Sequence, residues 1–223
     1  EGGEDTDFLT RMDPSRVHYR LYGTRGSTPT PGRRFIRHGG HTSCMALFGK
    51  EDIIVMDAGS GIRELGAELA GSRPRRIHLF ITHTHWDHIQ GIPFFAPLFV
   101  PGNEVRFYGA TEPVSGKPLR DLLLVQHEYS YFPVSEAELS AQLAYRDLTP
   151  DLPVQVGDAT VTPVLMNHPV TCLGYRIDAD GDSVFFTGDH EPPYNIYSPG
   201  DDDYETFQEA VRSRQEHLDR ALA

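Results

Sequence analysis

Short apolar runs separated by turn residues predict a mixed α/β protein. Strand-like runs lie at 17–23, 43–48, 52–59, 76–83, 104–109, 160–168, 172–177 and 183–189. Apolar residues at helical spacing predict helices over 59–71, 118–128, 135–144 and 203–223. The order of strands and helices is compatible with two sheets packed between outer helices.

The composition restricts the class of protein. A chain of 223 residues with 39% hydrophobic residues can bury roughly 70% of its unfolded surface, so it needs no disulfide to fold. Its two cysteines, Cys44 and Cys172, are too few for a disulfide framework and indicate a reducing compartment, so we expect a cytoplasmic location. No apolar run reaches the roughly 18 residues of a membrane span, so we expect no membrane partner.

The charge balance is acidic. Lys and Arg number 20 against 32 Asp and Glu, which gives a formal net charge of −12. A protein that binds long nucleic acid normally carries a basic surface. The composition therefore predicts no docking surface for long nucleic acid.

The residues with the most distinctive chemistry follow the strand-like run at 76–83. The sequence HTHWDH supplies three imidazoles and one carboxylate, on His83, His85, Asp87 and His88. These groups are ligands for Zn, Mn or Fe, and the spacing allows His83 and His85 to face one ion and the other two a second. The alternative is a solvated, histidine-rich loop, which the preceding buried strand disfavours.

Two later strand ends carry the same residue types. His168 ends the run at 160–168 and Asp189 ends the run at 183–189, each before a Gly or Pro turn. Taken alone, they read as a hydrogen-bonded histidine and a turn residue. Beside HTHWDH we expect both to be metal ligands, and the two oxygens of Asp189 allow it to bridge two ions.

These motifs resemble those of the metallo-β-lactamase fold superfamily. HTHWDH is similar to its H-x-H-x-D-H signature, and DAGSGIREL, NHP and TGD resemble its other motifs in the same order. GTRGSTPTPG, GGHTSC and IQGIPFFAPL resemble the phosphodiesterase branch. That branch includes cyclic nucleotide and phosphoribosyl cyclic phosphate phosphodiesterases and tRNase Z-like hydrolases. The resemblance covers about residues 17–190.

The resemblance implies an α/β fold, specifically a four-layer αββα metallo-β-lactamase sandwich, with two divalent metal ions at the edge of its sheets. Zinc is the expected metal, with manganese or iron as alternatives. By this resemblance His83, His85 and His168 hold the first ion, Asp87 and His88 hold the second, and Asp189 bridges them. Asp87 is also the predicted catalytic residue, because it would orient the attacking hydroxide.

The resemblance also affects the domain boundaries. We expect residues 1–14 to be a flexible tail or an artificial boundary of the sequence, and 15–223 to be one metallo-β-lactamase fold domain. The family pattern places a further histidine after the strand that follows the last helix, and the chain stops at Ala223 before it. We therefore expect this domain to be truncated at its C-terminal end.

Three further residues receive predicted roles. Asp57 matches a family carboxylate that hydrogen-bonds the metal loop, and an N-cap for the next helix is an alternative that can coexist with this role. Arg25 lies in a Gly-rich loop and is predicted to bind a substrate phosphate, although an arginine there is more often solvated. His127 lies where relatives cover their substrate and is predicted to line the pocket or donate a proton.

We expect a metal-dependent phosphoric diester hydrolase that cleaves a small, cyclic phosphodiester, such as a cyclic nucleotide, by attack of a metal-bound hydroxide. The alternatives are a thioester or lactam hydrolase of the same fold and a metal-binding or sensory module without catalysis. A tRNA-processing role is disfavoured by the acidic charge and the lack of a basic arm. The expected partner is a small phosphodiester, and a homodimer is left open.

Overall fold

The computed structural model describes residues 18–49 and 51–222. The predicted tail at 1–14 lies outside the described residues.

The first sheet has six strands that follow one another across the sheet in chain order. They are β1 (His18–Gly23), β2 (Cys44–Phe48), β3 (Asp52–Met56), β4 (Arg76–Phe80), β5 (Glu104–Gly109) and β6 (Gln142–Asp147). β1 to β3 pair antiparallel, and β3 to β6 pair parallel.

The second sheet has four antiparallel strands in the order β10-β9-β8-β7. They are β7 (Val154–Val156), β8 (Ala159–Leu165), β9 (Leu173–Ala179) and β10 (Asp182–Phe186). The α-helices are α1 (Ile62–Leu69), α2 (Trp86–Ile89), α3 (Leu119–Leu124) and α4 (Tyr204–Leu222).

Apolar residues alternate along the strands of the first sheet, and each set packs on a different layer. Val55 of β3 faces a core that includes Leu65 of α1 and Leu123 of α3. Met56, the next residue, faces a core shared with Tyr175 of the second sheet. Because successive strand side chains point to opposite faces, the sheet is covered on both sides.

A helix covers the other face of the second sheet. Leu218 of α4 is buried against Val164, Met166 and Cys172. The layers therefore run helix, sheet, sheet, helix, and the predicted αββα sandwich is confirmed.

The two sheets are joined at the edge where β4 ends. The Tyr175 hydroxyl donates a 2.6 Å hydrogen bond to the carbonyl of Ile81, and the backbone N–H of Leu173 donates to the carbonyl of Thr82 at 2.9 Å. β8 and β10 are both antiparallel to β9 and so run in the same direction. As a result, the segments that follow β3, β4, β8 and β10 meet at this one edge.

The helix predicted at 135–144 is wrong. Ser135 and Glu138 form a capping box, but the helical turn that it starts covers only Glu136–Glu138. The chain then becomes extended and β6 pairs in parallel with β5. Helix-forming residues are thus overridden by sheet pairing, as tertiary contacts commonly override intrinsic propensity.

None of the helices in the described residues combines the length and the apolar character needed to cross a bilayer.

Candidate metal centre

The HTHWDH segment forms a tight loop and one short helix after β4. His85 is extended and stands at the N-cap of α2, while Asp87 and His88 lie within that helix. His83, Asp87 and His88 are buried, with 3%, 7% and 2% of their surface exposed, whereas His85 is exposed. The loop therefore turns several metal-type ligands toward one point at the sheet edge.

Three histidines form the first ligand set. His83 Nε2 lies 3.0 Å from His85 Nδ1, and His168 Nε2 lies 3.3 Å from the same atom of His85. The segment after β8 delivers His168. The three ligand atoms all fall within 4.8 Å of one another, a separation compatible with shared coordination of one cation.

A second set lies beside the first and shares His83 with it. His88 Nε2 is 3.3 Å from Asp189 Oδ1, and His83 Nε2 is 4.0 Å from Asp189 Oδ2. Asp87 Oδ2 adds a further oxygen 3.4 Å from His88 Nε2. Asp189 thus presents a different oxygen to each of two histidines, an arrangement suited to a bridging carboxylate.

The donor atoms fit divalent cations. His88 Nε2 is buried and has no hydrogen-bond partner among the described residues, although two carboxylates are close to it. Burial, and then the neighbouring imidazoles of His88, His85 and His168, lower the pKa of His83 to about 2. An imidazole held neutral keeps its lone pair available to a metal, and a cation would compensate the buried polar atoms.

The Asp57 carboxylate forms hydrogen bonds with residues of the cluster and with residues next to it. Its side chain is fully buried and accepts hydrogen bonds from the Thr82 N–H at 2.9 Å and the Ser43 hydroxyl at 3.0 Å. His88 Nδ1 lies 2.6 Å from Asp57 Oδ2. Burial lowers the pKa of His88, but this hydrogen bond and the nearby carboxylates give a net increase.

The alternative role of Asp57 as a helix cap is not what the structure shows. α1 begins at Ile62, and its N-cap is Gly61, which has no side-chain cap among the described residues. Asp57 instead adopts a left-handed backbone, with φ of 59°. The carboxylate faces Thr82 and His88 in this conformation, so Asp57 orients the His88 imidazole.

Several polar residues around the site were not singled out from the sequence. Thr82 places its hydroxyl 3.1 Å from His83 Nδ1 and 3.4 Å from His88 Nδ1. The backbone N–H of Ser27 donates to Asp87 Oδ2 at 2.7 Å. The position of Thr82 directly before HTHWDH was the available signal for its role, whereas the contact of Ser27 spans 60 residues and left no local signal.

Two predicted substrate-binding residues lie outside the cluster. The Arg25 guanidinium lies over the ring of Phe35 at 4.6 Å. His127 is buried. Its Nδ1–H donates a hydrogen bond to the Val134 carbonyl at 3.1 Å, and its ring contacts the Phe132 ring. Within the described ranges neither side chain contacts the cluster, so the structure offers no support for a substrate-binding role of either residue.

Two cavities lie next to the cluster and share Pro169 in their walls. The first has a volume of about 410 Å³ and is also lined by His168. The second has a volume of about 260 Å³ and is also lined by His83. Each cavity therefore includes a histidine of the cluster in its lining.

Comparisons with known proteins agree with this geometry. A family model described as a beta-lactamase superfamily domain matches residues 53–194, more than half of the chain. Ribonuclease Z of Limosilactobacillus fermentum is 33% identical over 111 residues, which cover 48% of this chain and 32% of that protein. The chain spans between about a third and a half of the lengths of the curated ribonuclease Z relatives it matches.

Solved structures share the fold at low identity. The short form of human tRNase Z superposes with a TM-score of 0.53 at 22% identity, covering 78% of this chain and 69% of that one. Unliganded yeast PDE1 superposes with a TM-score of 0.52 at 16% identity, covering 89% of this chain and 72% of that one.

The prediction of a small phosphodiester partner and of no docking surface for long nucleic acid is wrong. Relatives named ribonuclease Z act on RNA, as their name states, and this contradicts that prediction. The physical reason is that a net charge of −12 averages over the whole chain. It does not describe the local field beside a site built to hold divalent cations.

Proposed function

The chain belongs to the beta-lactamase superfamily, and from this premise we propose that it is a metal-dependent phosphodiesterase of the nuclease type. The observation that carries the proposal is the convergence of His83, His85, His88, His168 and Asp189 at one sheet edge. Phosphodiester hydrolysis needs stabilisation of negative charge at phosphorus, and such a site supplies it through bound cations.

The proposed ligand assignment uses both sets of donors. His83, His85 and His168 would hold one ion, Asp87 and His88 would hold a second, and Asp189 would contribute one carboxylate oxygen to each. Zinc is the proposed metal because imidazole and carboxylate suit it, with manganese and iron as alternatives. When bound, such ions lower the pKa of coordinated water and offset phosphate charge.

The protein side chains position the reacting groups. Asp57 fixes the ring of His88 through Nδ1, which leaves Nε2 directed at Asp87 and Asp189. The Ser27 N–H holds one oxygen of Asp87, and this bond restricts the rotation of the carboxylate. We propose that Asp87 uses this fixed position to orient the attacking water.

The proposed substrate class is RNA. It is supported by the ribonuclease Z relatives and by the two cavities next to the cluster. A polymer cleaved at the cluster needs room for its chain beside the scissile phosphate, and cavities lined by His168 and by His83 offer such room.

The proposal predicts a specific pattern of substrates. The metal-loaded chain is expected to hydrolyse bis-p-nitrophenyl phosphate and a single-stranded RNA oligonucleotide, and to leave a chromogenic cephalosporin and a chromogenic thioester intact. Release of p-nitrophenol and gel analysis of the RNA measure the two activities. Turnover of only the cephalosporin or the thioester would assign the site to a different hydrolase branch. Stoichiometric metal with no hydrolysis at all would indicate a metal-binding module.

We also propose a reducing, cytoplasmic location. Cys44 and Cys172 are both buried free thiols, and burial raises the pKa of Cys172 to about 12. Thiols of this kind behave as small apolar core residues.

A further inference from the structure

The larger of the two cavities beside the cluster has walls of two different kinds. One wall is a face of α4 with Phe207, Ala210, Val211 and Arg214, and the other is the segment at 191–196. Its volume of about 410 Å³ lies within the range of about 300–1,000 Å³ typical of small-ligand pockets. His168, a proposed metal ligand, lines the same cavity.

The wall formed by α4 is a row of apolar residues that ends at Arg214 and stays partly exposed in its N-terminal half. Residues 207, 210, 211 and 214 lie on one helical face. Farther along the helix, Leu218 packs into the core with Met166 and Cys172. The same amphipathic helix therefore covers the second sheet with its C-terminal half and bounds the cavity with its N-terminal half.

The opposite wall is held in place against the helix. The Asn195 side chain donates to the Tyr204 carbonyl at 2.9 Å and to Gln208 Oε1 at 3.1 Å. The rings of Tyr197 and Phe207 meet edge to face at 5.4 Å. These contacts make the cavity a formed pocket, and they leave Tyr194 exposed at its rim, with 65% of its surface accessible.

The pocket also has a fixed cationic group. Arg214 Nη2 donates to the Met166 carbonyl at 3.0 Å, and this bond holds the guanidinium at the wall. A guanidinium has five N–H donors, and this bond uses one of them. An aromatic side chain and an arginine beside an apolar surface are the groups that stack and hydrogen-bond unpaired bases of single-stranded RNA.

We propose that this cavity, the Tyr194 pocket, binds the nucleoside next to the scissile phosphate, with its base stacked on Tyr194. The proposal rests on the proposed function, because it takes the phosphodiester to lie at the metal centre. His168 belongs to both the cluster and the pocket, so a nucleoside in the pocket is adjacent to a phosphate at the cluster. Tyr194 is then a specificity-determining residue for a nucleotide substrate.

The test compares two p-nitrophenyl phosphodiesters that differ only in the other ester group. One carries uridine through its 5′ oxygen and the other carries a methyl group. In Tyr194→Ala, kcat/KM for the uridine ester is expected to fall about tenfold more than kcat/KM for the methyl ester, because only the uridine ester has a base that can stack on the ring. Tyr194→Phe, which keeps the ring, restores the ratio. Tyr129→Ala is the matched control, because Tyr129 is 89% exposed and does not line the pocket.

If Tyr194→Ala changes kcat/KM equally for both esters, so that the ratio of the two values is unchanged, the proposed base binding in the Tyr194 pocket is wrong. Calorimetric titration with uridine 5′-monophosphate separates this proposal from the proposed function. If the chain hydrolyses neither ester but binds the nucleotide and loses at least about fivefold in affinity on Tyr194→Ala, the pocket is supported and the catalytic proposal fails. If nucleotide affinity is the same in both proteins, the pocket is rejected.

Discussion

Replacement of His83 with alanine is expected to lower kcat/KM for bis-p-nitrophenyl phosphate at least about a thousandfold, which corresponds to about 4 kcal/mol of lost transition-state stabilisation. The reason is geometric. His83 Nε2 lies within reach of both ligand sets, 3.0 Å from His85 Nδ1 and 4.0 Å from Asp189 Oδ2. Its removal therefore takes a nitrogen ligand from the first proposed ion site and the neighbouring imidazole from Asp189, the proposed bridging carboxylate.

The matched control is His38→Ala. His38 is exposed, and its recorded contact is through the backbone carbonyl, which accepts a bond from the Thr24 hydroxyl at 2.9 Å. Alanine keeps that carbonyl, so activity and bound metal are expected to remain at the wild-type level. Retention of more than about a tenth of the wild-type kcat/KM by the His83 variant would contradict the assignment of His83 to the centre.

The substitution Asp57→Asn is expected to reduce the free energy of unfolding by about 3–5 kcal/mol, the usual cost of breaking one side of a buried charged pair. Asp57 is fully buried and accepts bonds from Thr82 and Ser43 while its Oδ2 contacts His88 Nδ1. An amide would direct its NH₂ group at these donors. Chemical denaturation monitored by circular dichroism measures the loss.

Asn tolerates the left-handed backbone of position 57, so the loss reports on the carboxylate and not on backbone strain. Asp180→Asn is the matched control, because Asp180 is exposed and has φ of 53°, close to the 59° of Asp57. We expect Asp180→Asn to change stability by less than about 0.5 kcal/mol, as surface substitutions usually do. Equal effects of the two substitutions would remove Asp57 from its supporting role.

The fold and the ligand-type residues were accessible from the sequence because their signals are local. The buried run before HTHWDH marks the strand that delivers the loop, and His168 and Asp189 each follow a strand-like run. Parallel directions of β3 and β4, and of β8 and β10, then bring these strand ends to one edge. A periodic pattern and a dense motif were sufficient for this part.

The strand β6, the position of His127 and the Tyr194 pocket depend on contacts between residues that are distant in the sequence. The first part of β6, at 142–144, belongs to the stretch predicted as a helix because its Gln, Leu and Ala residues are helix formers, and pairing with β5 makes it a strand. His127 reads as a site residue, yet its ring is buried against Phe132. The Tyr194 pocket lies between α4 and the segment at 191–196. The apolar periodicity of a helix does not indicate which of its apolar residues stay partly exposed in the folded protein.

The net charge gave a wrong prediction about nucleic acid binding, because it too carries no information about position. A net charge of −12 includes Asp57, Asp87 and Asp189, which face the cluster. Two bound divalent cations would reverse the sign of the charge at the point where a phosphate binds. Composition sums these contributions without their positions.

The most direct test of the metal centre is anomalous X-ray diffraction from crystals of the chain loaded with zinc. We expect peaks at the zinc absorption edge, with nitrogens of His83, His85 and His168 about 2.0–2.1 Å from one ion. We also expect Asp189 to contact this ion and the neighbouring ion beside His88. Crystals that hold zinc elsewhere, or that show no anomalous peak among these residues, would contradict it.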